Sequence, residues 1–227
     1  FMSSDVDGNI LPKEEMKFSS FIEERTKEIP ELSVEFNMIQ ATFYEDAQEF
    51  DKAIKALDSV KNHKNYSDQH RYYHASMLER VGKVEESRKM IKAILEKDEN
   101  NPHALNFLGY SYLDKNENMD EAFRLISKAV ELKPEDGYIR DSIAWYYYKV
   151  GKYEEALKEA TKAYKSVSSD PTITKHLGMI YIELNQFDKA HKYLTMSLDK
   201  TKVTEERDDV LKLLTDIQHK RLPASQD

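Results

Sequence analysis

Two histidines four residues apart are the side chains in this sequence that are best spaced for metal chemistry. His70 and His74 would lie on one face of a helix, a spacing at which two imidazoles can ligate zinc. Glu79 is the one further candidate ligand nearby, and a zinc site needs at least three protein ligands. His74 also falls on a position that the helical periodicity places in the core. We therefore interpret both histidines as core or surface residues and predict no metal site.

Paired carboxylates are the second feature that could support chemistry, because two neighbouring acids can act as general acid and base. They occur at Glu85 and Glu86, Glu154 and Glu155, and Glu205 and Glu206. All three pairs lie in turns or in the first turn of a predicted helix, where acidic side chains favour the helix macrodipole. The sequence has no glycine-rich phosphate loop, no serine-nucleophile motif and no cysteine. We therefore predict that the chain is not an enzyme and binds no cofactor.

Composition narrows the possible partners. The 227 residues are 40% hydrophobic and 33% charged, with a net charge of −8, as expected of a folded helical protein rather than a disordered one. No basic stripe is present to neutralise phosphates, so we expect no nucleic-acid partner. No apolar run approaches the roughly 20 residues of a membrane span, so we expect no membrane insertion. Both the cytoplasm and the bacterial periplasm fit this composition.

The elements that carry these side chains repeat with a period of 34 residues. Small residues recur at Ala41, Ala75, Gly109, Ala144 and Gly178. A second small series follows at Ala53, Ser87, Ala122, Ala156 and Ala190. A third series lies three residues after the first, at Tyr44, Leu78, Tyr112, Tyr147 and Tyr181. One interval in each series is 35 residues long instead of 34. The extra residue falls between Asp114 and Ala122, where we predict a lengthened turn. A repeat of this length indicates stacked helix-turn-helix units.

The small residues have a steric explanation. Two helices approach to about 8–10 Å only where the side chains at their crossing are short. The larger residue three positions later lies on the same helix face and fills the adjoining gap. Turn residues such as Gly82 and Gly151 stand where the helices must break. The sequence therefore predicts an all-α, right-handed α-solenoid of five helix pairs.

The repeat resembles the tetratricopeptide repeat (TPR), including a bacterial subgroup of it. The best match runs through Trp145, Tyr147, Gly151, Lys152 to Ala156, and Ala163; the segments 104–134 and 176–190 are further clear copies. The first two units are degenerate, since Gln40 and His74 replace the usual Leu and Ser87 replaces Ala. The resemblance covers roughly residues 33–200. It implies a scaffold for protein–protein interaction without fixing the partner.

The predicted organisation follows this array. We predict an array over residues 33–200, with units at approximately 33–66, 67–100, 101–135, 136–169 and 170–203. Residues 13–30 form an extra N-terminal helix, either a cap or half of a missing repeat, and residues 204–220 form a capping helix. We expect residues 1–12, with a tag remnant at Phe1 and Met2, to be disordered, and residues 221–227 to form a frayed tail.

The resemblance also implies which residues face a partner, since the first helix of each pair lines the concave face in this family. The predicted partner-binding residues are Tyr72, Glu79, Arg80, Asn106, Tyr110, Asp114, Tyr138, Asp141, Trp145, Tyr148, Lys175, Met179 and Ile182. Aromatic residues in such a set are typical interface anchors. The family's clamp for acidic chaperone tails needs cationic pairs, and only Lys175 suits it, whereas Asp141 would repel a carboxylate. An apolar or mildly basic segment fits better.

Three functional hypotheses follow. The chain binds a peptide or helical segment of a partner protein in the groove; or it self-assembles as a homo-oligomer through its terminal helices; or it is an adaptor subunit of a bacterial envelope protease or an export or assembly machine. Identification of the partner lies beyond the sequence.

Overall fold

All regular structure in the described part of the chain is helical. The computed structural model describes residues 12–201 and 203–221, so the predicted tag remnant and most of the predicted tail lie outside the described residues. A 3-10 helix at Pro30–Leu32 follows the first α-helix. The α-helices are α1 Pro12–Glu28, α2 Ser33–Asp46, α3 Phe50–Val60, α4 Asp68–Arg80, α5 Val84–Leu95, α6 Pro102–Asp114, α7 Met119–Leu132, α8 Gly137–Lys149, α9 Tyr153–Ser166, α10 Pro171–Glu183, α11 Phe187–Lys200 and α12 Thr204–Arg221.

The helices group into two compact units that divide between Glu99 and Asn100. Unit 1 contains α1 and the pairs α2–α3 and α4–α5, with a core that includes Ala41, Leu57 and Met77. In unit 1, α1 buries Ile22 and packs Phe18 against Phe43, with the rings tilted and their centroids 4.4 Å apart.

Unit 2 contains the pairs α6–α7, α8–α9 and α10–α11 followed by α12. Its core includes Leu177 and Leu194, and α12 contributes Val210 and Ile217 to the same cluster. Leu211, next to Val210 on α12, is 45% exposed.

The turn inside each helix pair has one recurring conformation. One residue per turn adopts a positive φ, in the left-handed region: Gln48, Gly82, Asn116, Gly151 and Asn185. The next residue donates its backbone N–H to the carbonyl of the third repeat series, as Glu49 does to Tyr44 and Lys152 to Tyr147. This bond satisfies a carbonyl that the helix end leaves open. The third series thus both fills the core gap and closes the turn.

The lengthened turn predicted after Asp114 is present. It has a second left-handed residue, Asn118, which stands immediately before α7. Asparagine tolerates this conformation better than other non-glycine residues, because its short polar side chain can bond locally.

Close packing within each pair follows the small residues. All residues of the second series are fully buried, and so are the three alanines of the first. A Cβ added at Gly109 would lie 2.7 Å from Ile126 Cγ1 and 3.0 Å from the carbonyl oxygen of Ala122. Ser87, the exception in its series, donates its hydroxyl to the carbonyl of Ala75 at 2.9 Å. The serine therefore joins the two small positions of one pair.

Side-chain caps start the first helices of the three pairs in unit 2. Asn101 accepts from the N–H of Ala104, and Asp136 and Asp170 each accept from two N–H groups of the following turn. Pro102 and Pro171 occupy the first helical position, where a missing N–H costs nothing.

Candidate interaction surface

Three adjacent first helices of unit 2 carry most of the predicted partner-binding residues. Helix α8 packs against both α6 and α10. Side chains three, four or seven residues apart lie on one face of each helix. We call the resulting surface the ring face, formed by Asn106, Tyr110, Asp114, Tyr138, Trp145, Tyr148, Lys175, Met179 and Ile182.

Trp145 is the centre of an aromatic stack on the ring face. Its ring lies parallel to that of Tyr148, with centroids 4.7 Å apart, and parallel to the imidazole of His176 at 4.2 Å. One contact lies within α8 and the other joins α8 to α10, so the indole is held by two helices. Its Nε1–H is buried without a hydrogen-bond partner in the described part of the chain. The stack fixes the orientation of a half-buried tryptophan before any partner binds.

Asp141 is hydrogen-bonded to the histidine of this stack. It is 6% exposed, and its Oδ2 lies 2.8 Å from Nδ1 of His176, which is buried as well. An ionised carboxylate only accepts hydrogen bonds, so Nδ1 of the imidazole carries the hydrogen. The second oxygen, Oδ1, is buried and has no hydrogen-bond partner among the described residues. Asp141 was predicted on the partner-binding face, and the structure places it under that face rather than at its surface.

Tyr110 and Asn106 continue the face onto α6. Burial, and then the charges of Asp141 and Asp114, raise the pKa of the Tyr110 hydroxyl well above its usual range. Both charges that act on this hydroxyl are negative. Asn106 Oδ1 is another buried oxygen that lacks a hydrogen-bond partner within the described ranges. This side of the ring face is therefore rich in acceptors.

The other ring-face residues differ in exposure. Tyr138 is 58% exposed, whereas Tyr148, Lys175, Met179 and Ile182 are half-buried. Burial, and then the charge of Glu183, raise the pKa of Tyr148 to about 12. Asp114 is exposed and pairs with Lys115 at 3.0 Å.

A lysine lies next to the stack. Lys149 Nζ lies 5.5 Å from the centroid of the Trp145 ring and donates to Asn116 Oδ1 at 3.1 Å. His176, by contrast, was not among the predicted partner-binding residues. It follows Lys175 and precedes the core residue Leu177, and nothing in that spacing distinguishes a partner for Asp141 from an ordinary core position.

The predicted residues of unit 1 are less clearly a surface. Tyr72 and Glu79 are half-buried. Arg80 is exposed, with its guanidinium 5.3 Å from the centroid of the Phe50 ring on α3. This cation–π contact directs Arg80 toward the second helix of the neighbouring pair.

Both histidines considered for metal binding have structural roles. His70 completes a capping box with Ser67 at the start of α4. His74 is fully buried, and its Nδ1 lies 2.9 Å from the hydroxyl of Tyr66. Within residues that the structure describes, no three histidine, aspartate or glutamate side chains are placed to hold a metal ion.

A tetratricopeptide-repeat family model matches residues 37–215 of the sequence. The chain belongs to the tetratricopeptide repeat family. A TPR repeat-containing protein of Pseudomonas aeruginosa is 29% identical over 162 residues, which are 69% of this chain and 26% of that protein. The chain thus spans about a quarter of the length of this relative.

Solved TPR structures confirm the fold class, an all-α solenoid of tetratricopeptide repeats. The TPR protein TTC0263 from Thermus thermophilus superposes with a TM-score of 0.67 at 14% identity, covering 79% of this chain and 97% of that one. A chain of the APC/C hetero-tetramer Cut9–Hcn1 superposes with a TM-score of 0.77 at 14% identity, covering 92% of this chain and 41% of that one. Yeast Tom70 superposes with a TM-score of 0.67 at 17% identity, covering 96% of this chain and 45% of that one. At these identities the likeness shows the fold alone.

TPR proteins are generally scaffolds for protein–protein interaction and are typically not enzymes. In the described part of this TPR chain, no helix combines the length and the apolar character that crossing a membrane requires.

Proposed function

We propose that this TPR chain is a non-catalytic scaffold that binds a peptide or helical segment of a partner protein on the ring face of unit 2. The observation that carries the proposal is the Trp145 stack. Tryptophan and tyrosine are the residues that most often anchor interfaces. Here Tyr148 and His176 hold the indole in one orientation, so binding does not have to order it.

Exposure supports the same surface. Tyr138, one turn before Asp141 on α8, leaves more than half of its surface in solvent. A tyrosine of this exposure beside a fixed tryptophan offers apolar area that an extended or helical segment can bury. Met179 and Ile182 on α10 add flexible and branched apolar contacts at one side of the stack.

A site-specific cross-link tests this proposal. A photo-reactive phenylalanine analogue replaces Tyr138 in one variant and Phe123 in the other. Phe123 is the matched control, because it is an aromatic of α7 that is 37% exposed and is not part of the ring face. The proposal expects a partner adduct from position 138 and none from position 123, and loss of that adduct in Trp145→Ala. Equal adducts from both positions, or an adduct that survives Trp145→Ala, would reject the ring face.

Self-assembly through the terminal helices is a second candidate, supported by α1. Met16 and Phe21 on this helix are 68% and 53% exposed. Large exposed apolar side chains on a terminal helix can stack on another copy. Sedimentation at several concentrations tests this candidate, which requires a concentration-dependent dimer that Phe21→Ser weakens. A monomer at every concentration rejects it.

An adaptor role in a larger machine, such as an envelope protease or an export or assembly complex, is compatible with both candidates. The P. aeruginosa relative contains this match within a protein about four times longer than the matched segment. Co-purification of the chain with such a complex from its native cell is the test of that role.

A further inference from the structure

We infer that α1 pairs with α1 of a second copy of this chain, with the two helices antiparallel about a two-fold axis between Ser20 and Phe21. This inference rests on self-assembly, the second candidate of the proposed function, and adds the surface and the orientation of the contact. It is independent of the ring face. Three observations support it: an uncovered face of α1, charges that are separated along that face, and an apolar centre beside a small residue.

The first observation is the uncovered side of α1. The helix packs Phe18 against Phe43 of α2, and Glu15 pairs with Lys52 of α3 at 2.6 Å. With 3.6 residues per turn, the residues that are not on this side point away from unit 1. We call the opposite side the outer face, formed by the exposed residues Lys13, Lys17, Ser20, Phe21, Glu24 and Glu28. The outer face is therefore available to a second molecule.

The second observation is the separation of charge along the outer face. Its N-terminal half carries Lys13 and Lys17, and its C-terminal half carries Glu24 and Glu28. Neither lysine has an ion-pair partner within the described ranges. An antiparallel pairing of two such helices places unlike halves side by side, whereas a parallel pairing places like halves side by side. Opposite charges across an interface fix its orientation, so the outer face favours the antiparallel arrangement.

The same charges define the register. Two residues face each other across an antiparallel two-fold axis when they are equally far from the axis along the sequence. Lys17 and Glu24 are equally far from an axis between Ser20 and Phe21, and so are Lys13 and Glu28. Each of these contacts occurs twice, because a two-fold interface uses the same surface of both copies. A single register thus pairs all four charged residues.

The contact that Glu28 makes within its own helix does not remove it from this pairing. It meets Arg25 at 2.7 Å through one of its two carboxylate oxygens. Glu24 is farther from the same guanidinium, at 3.9 Å. Exposed ion pairs within one helix contribute little to stability, so both carboxylates can turn toward a second lysine at small cost.

The third observation is the apolar centre of the outer face. Phe21 is 53% exposed, although the guanidinium carbon of Arg25 lies 5.6 Å from its ring centroid. Met16, one turn before Ser20, is 68% exposed. In the proposed register Phe21 lies opposite Ser20 of the other copy. This short side chain leaves room for the ring when the helix axes approach to about 8–10 Å.

These features favour a second copy over an unrelated segment, because each half of the outer face supplies what the other half needs. The remaining exposed charges of the C-terminal half, Glu23 and Lys27, have opposite signs and leave its balance negative. Helix α1 has 17 residues and is therefore about 25 Å long. A contact of this length lies at the small end of protein interfaces, so the dimer is a weak one.

Charge reversal in the whole chain tests the pairing. Sedimentation equilibrium between about 1 μM and about 1 mM measures the dimer constant. Lys17→Glu alone and Glu24→Lys alone each place like charges opposite each other, so each should weaken the dimer at least about tenfold. An equimolar mixture of the two variants should recover the wild-type constant within about threefold, since each chain then supplies the charge that the other lacks. Lys89→Glu, at an exposed position of α5, is the charge-matched control and should leave the dimer unchanged.

The absence of cysteine from the sequence allows a second measurement of the orientation. Ser20→Cys lies next to the proposed axis and should link to itself through a short bismaleimide. Lys13→Cys should not link to itself, because the two copies of this position lie about 20 Å apart along the helix axis. It should link to Glu28→Cys when the two variants are mixed.

The possible failures are distinguishable. A chain that is monomeric at every concentration contradicts both the inference and the self-assembly candidate. A dimer that Lys17→Glu does not weaken, or a mixture that does not recover it, contradicts the inference alone. A mixed dimer much tighter than the wild-type one, or a Lys13→Cys chain that links to itself, would show parallel helices and also overturn it. Loss of the cross-link at position 138 is the separate failure of the ring face.

Discussion

Asp141 of α8 and His176 of α10 share a 2.8 Å hydrogen bond although both side chains are buried. The pair connects two consecutive first helices of unit 2, and its imidazole stacks on the ring of Trp145. A polar bond in this place orients the imidazole on which the indole stacks. The orientation of Trp145 on the ring face therefore depends on a buried hydrogen bond.

The Asp141–His176 pair should show strong non-additivity. His176→Phe keeps a ring for Trp145 and removes the hydrogen-bond donor, so it leaves the buried carboxylate without a partner. We expect a loss of about 3 kcal/mol in the free energy of unfolding. The double variant Asp141→Leu/His176→Phe should lose less than His176→Phe alone, because it removes the charge as well. Urea unfolding followed by circular dichroism measures these two variants and Asp141→Leu, and losses that add in the double variant would show that the pair is not coupled.

Two of the helix-contact glycines of unit 2, Gly109 and Gly178, should respond differently to alanine. At Gly109 a Cβ meets the backbone oxygen of Ala122 at 3.0 Å, which cannot move away cheaply. At Gly178 it meets the side-chain atoms Cγ and Cδ2 of Leu194 at 2.6 and 2.7 Å, while the nearest backbone oxygen, that of Ala190, lies at 3.4 Å. We expect Gly109→Ala to cost about 1–3 kcal/mol through overpacking. Gly178→Ala should cost less, because its close contacts are with side-chain atoms rather than with backbone; the gain in helix propensity, about 1 kcal/mol, is the same for both variants. Thermal unfolding of the two variants tests this order, and the reverse order would contradict it.

Unit 1 should lose stability in weak acid because of His74. Burial, the largest cause, lowers the pKa of His74 from its ordinary 6.5, although the charge of Asp58 acts in the opposite direction. The unfolded chain therefore binds a proton more readily than the folded one. The stabilising contribution is complete above pH 6.5 and is lost as the pH falls through the lowered folded pKa.

Replacing His74 by the leucine that is usual at this position tests this dependence. His74→Leu should flatten the change in melting temperature of unit 1 between neutral pH and the mildly acidic range. The hydroxyl of Tyr66 keeps a weaker contact with the carbonyl of His70 at 3.4 Å. An unchanged pH profile in the variant would assign the acid sensitivity to another group.

Substitutions at the left-handed position of the turn should change the stability of unit 1 in opposite directions. Gln48 and Gly82 occupy equivalent places, with φ of 58° and 76°. This conformation costs a residue with a Cβ about 1–2 kcal/mol more than glycine. Gln48→Gly should therefore stabilise unit 1 by about 1 kcal/mol, and Gly82→Gln should destabilise it by a similar amount. The denaturant concentration at the unfolding midpoint of each variant measures these changes. Midpoints that both rise or both fall would contradict this interpretation.

The regular part of the fold could be predicted from the sequence because it depends on sterics that recur every 34 residues. Small side chains at Ala41 and Ala53 define a helix crossing, and Tyr44 defines both the adjoining gap and the end of the helix. The spacing also predicted the longer turn, in which the structure places Asn116 and Asn118 in the left-handed region. Each of these constraints acts within one helix pair, so a single sequence reveals it.

The polar contacts between pairs could not be predicted in the same way. His176 bonds Asp141 because α8 and α10 pack at a specific rotation, and a repeat period does not specify that rotation. Arg80 was placed on the partner-binding face by its position in the repeat, yet its guanidinium lies over Phe50 of another pair. Long side chains choose among several neighbours, and the choice depends on packing rather than on spacing.

The indole N–H resonance of Trp145 is the most direct test of the central claim that the ring face binds a partner segment. The sequence contains one tryptophan, so a ¹⁵N–¹H spectrum shows one indole signal, and its N–H has no hydrogen-bond partner in the described part of the chain. Addition of the segment cross-linked at position 138 should shift this signal and saturate at one segment per chain. An indole signal that stays in place while the segment saturates its binding site would show that the segment binds elsewhere.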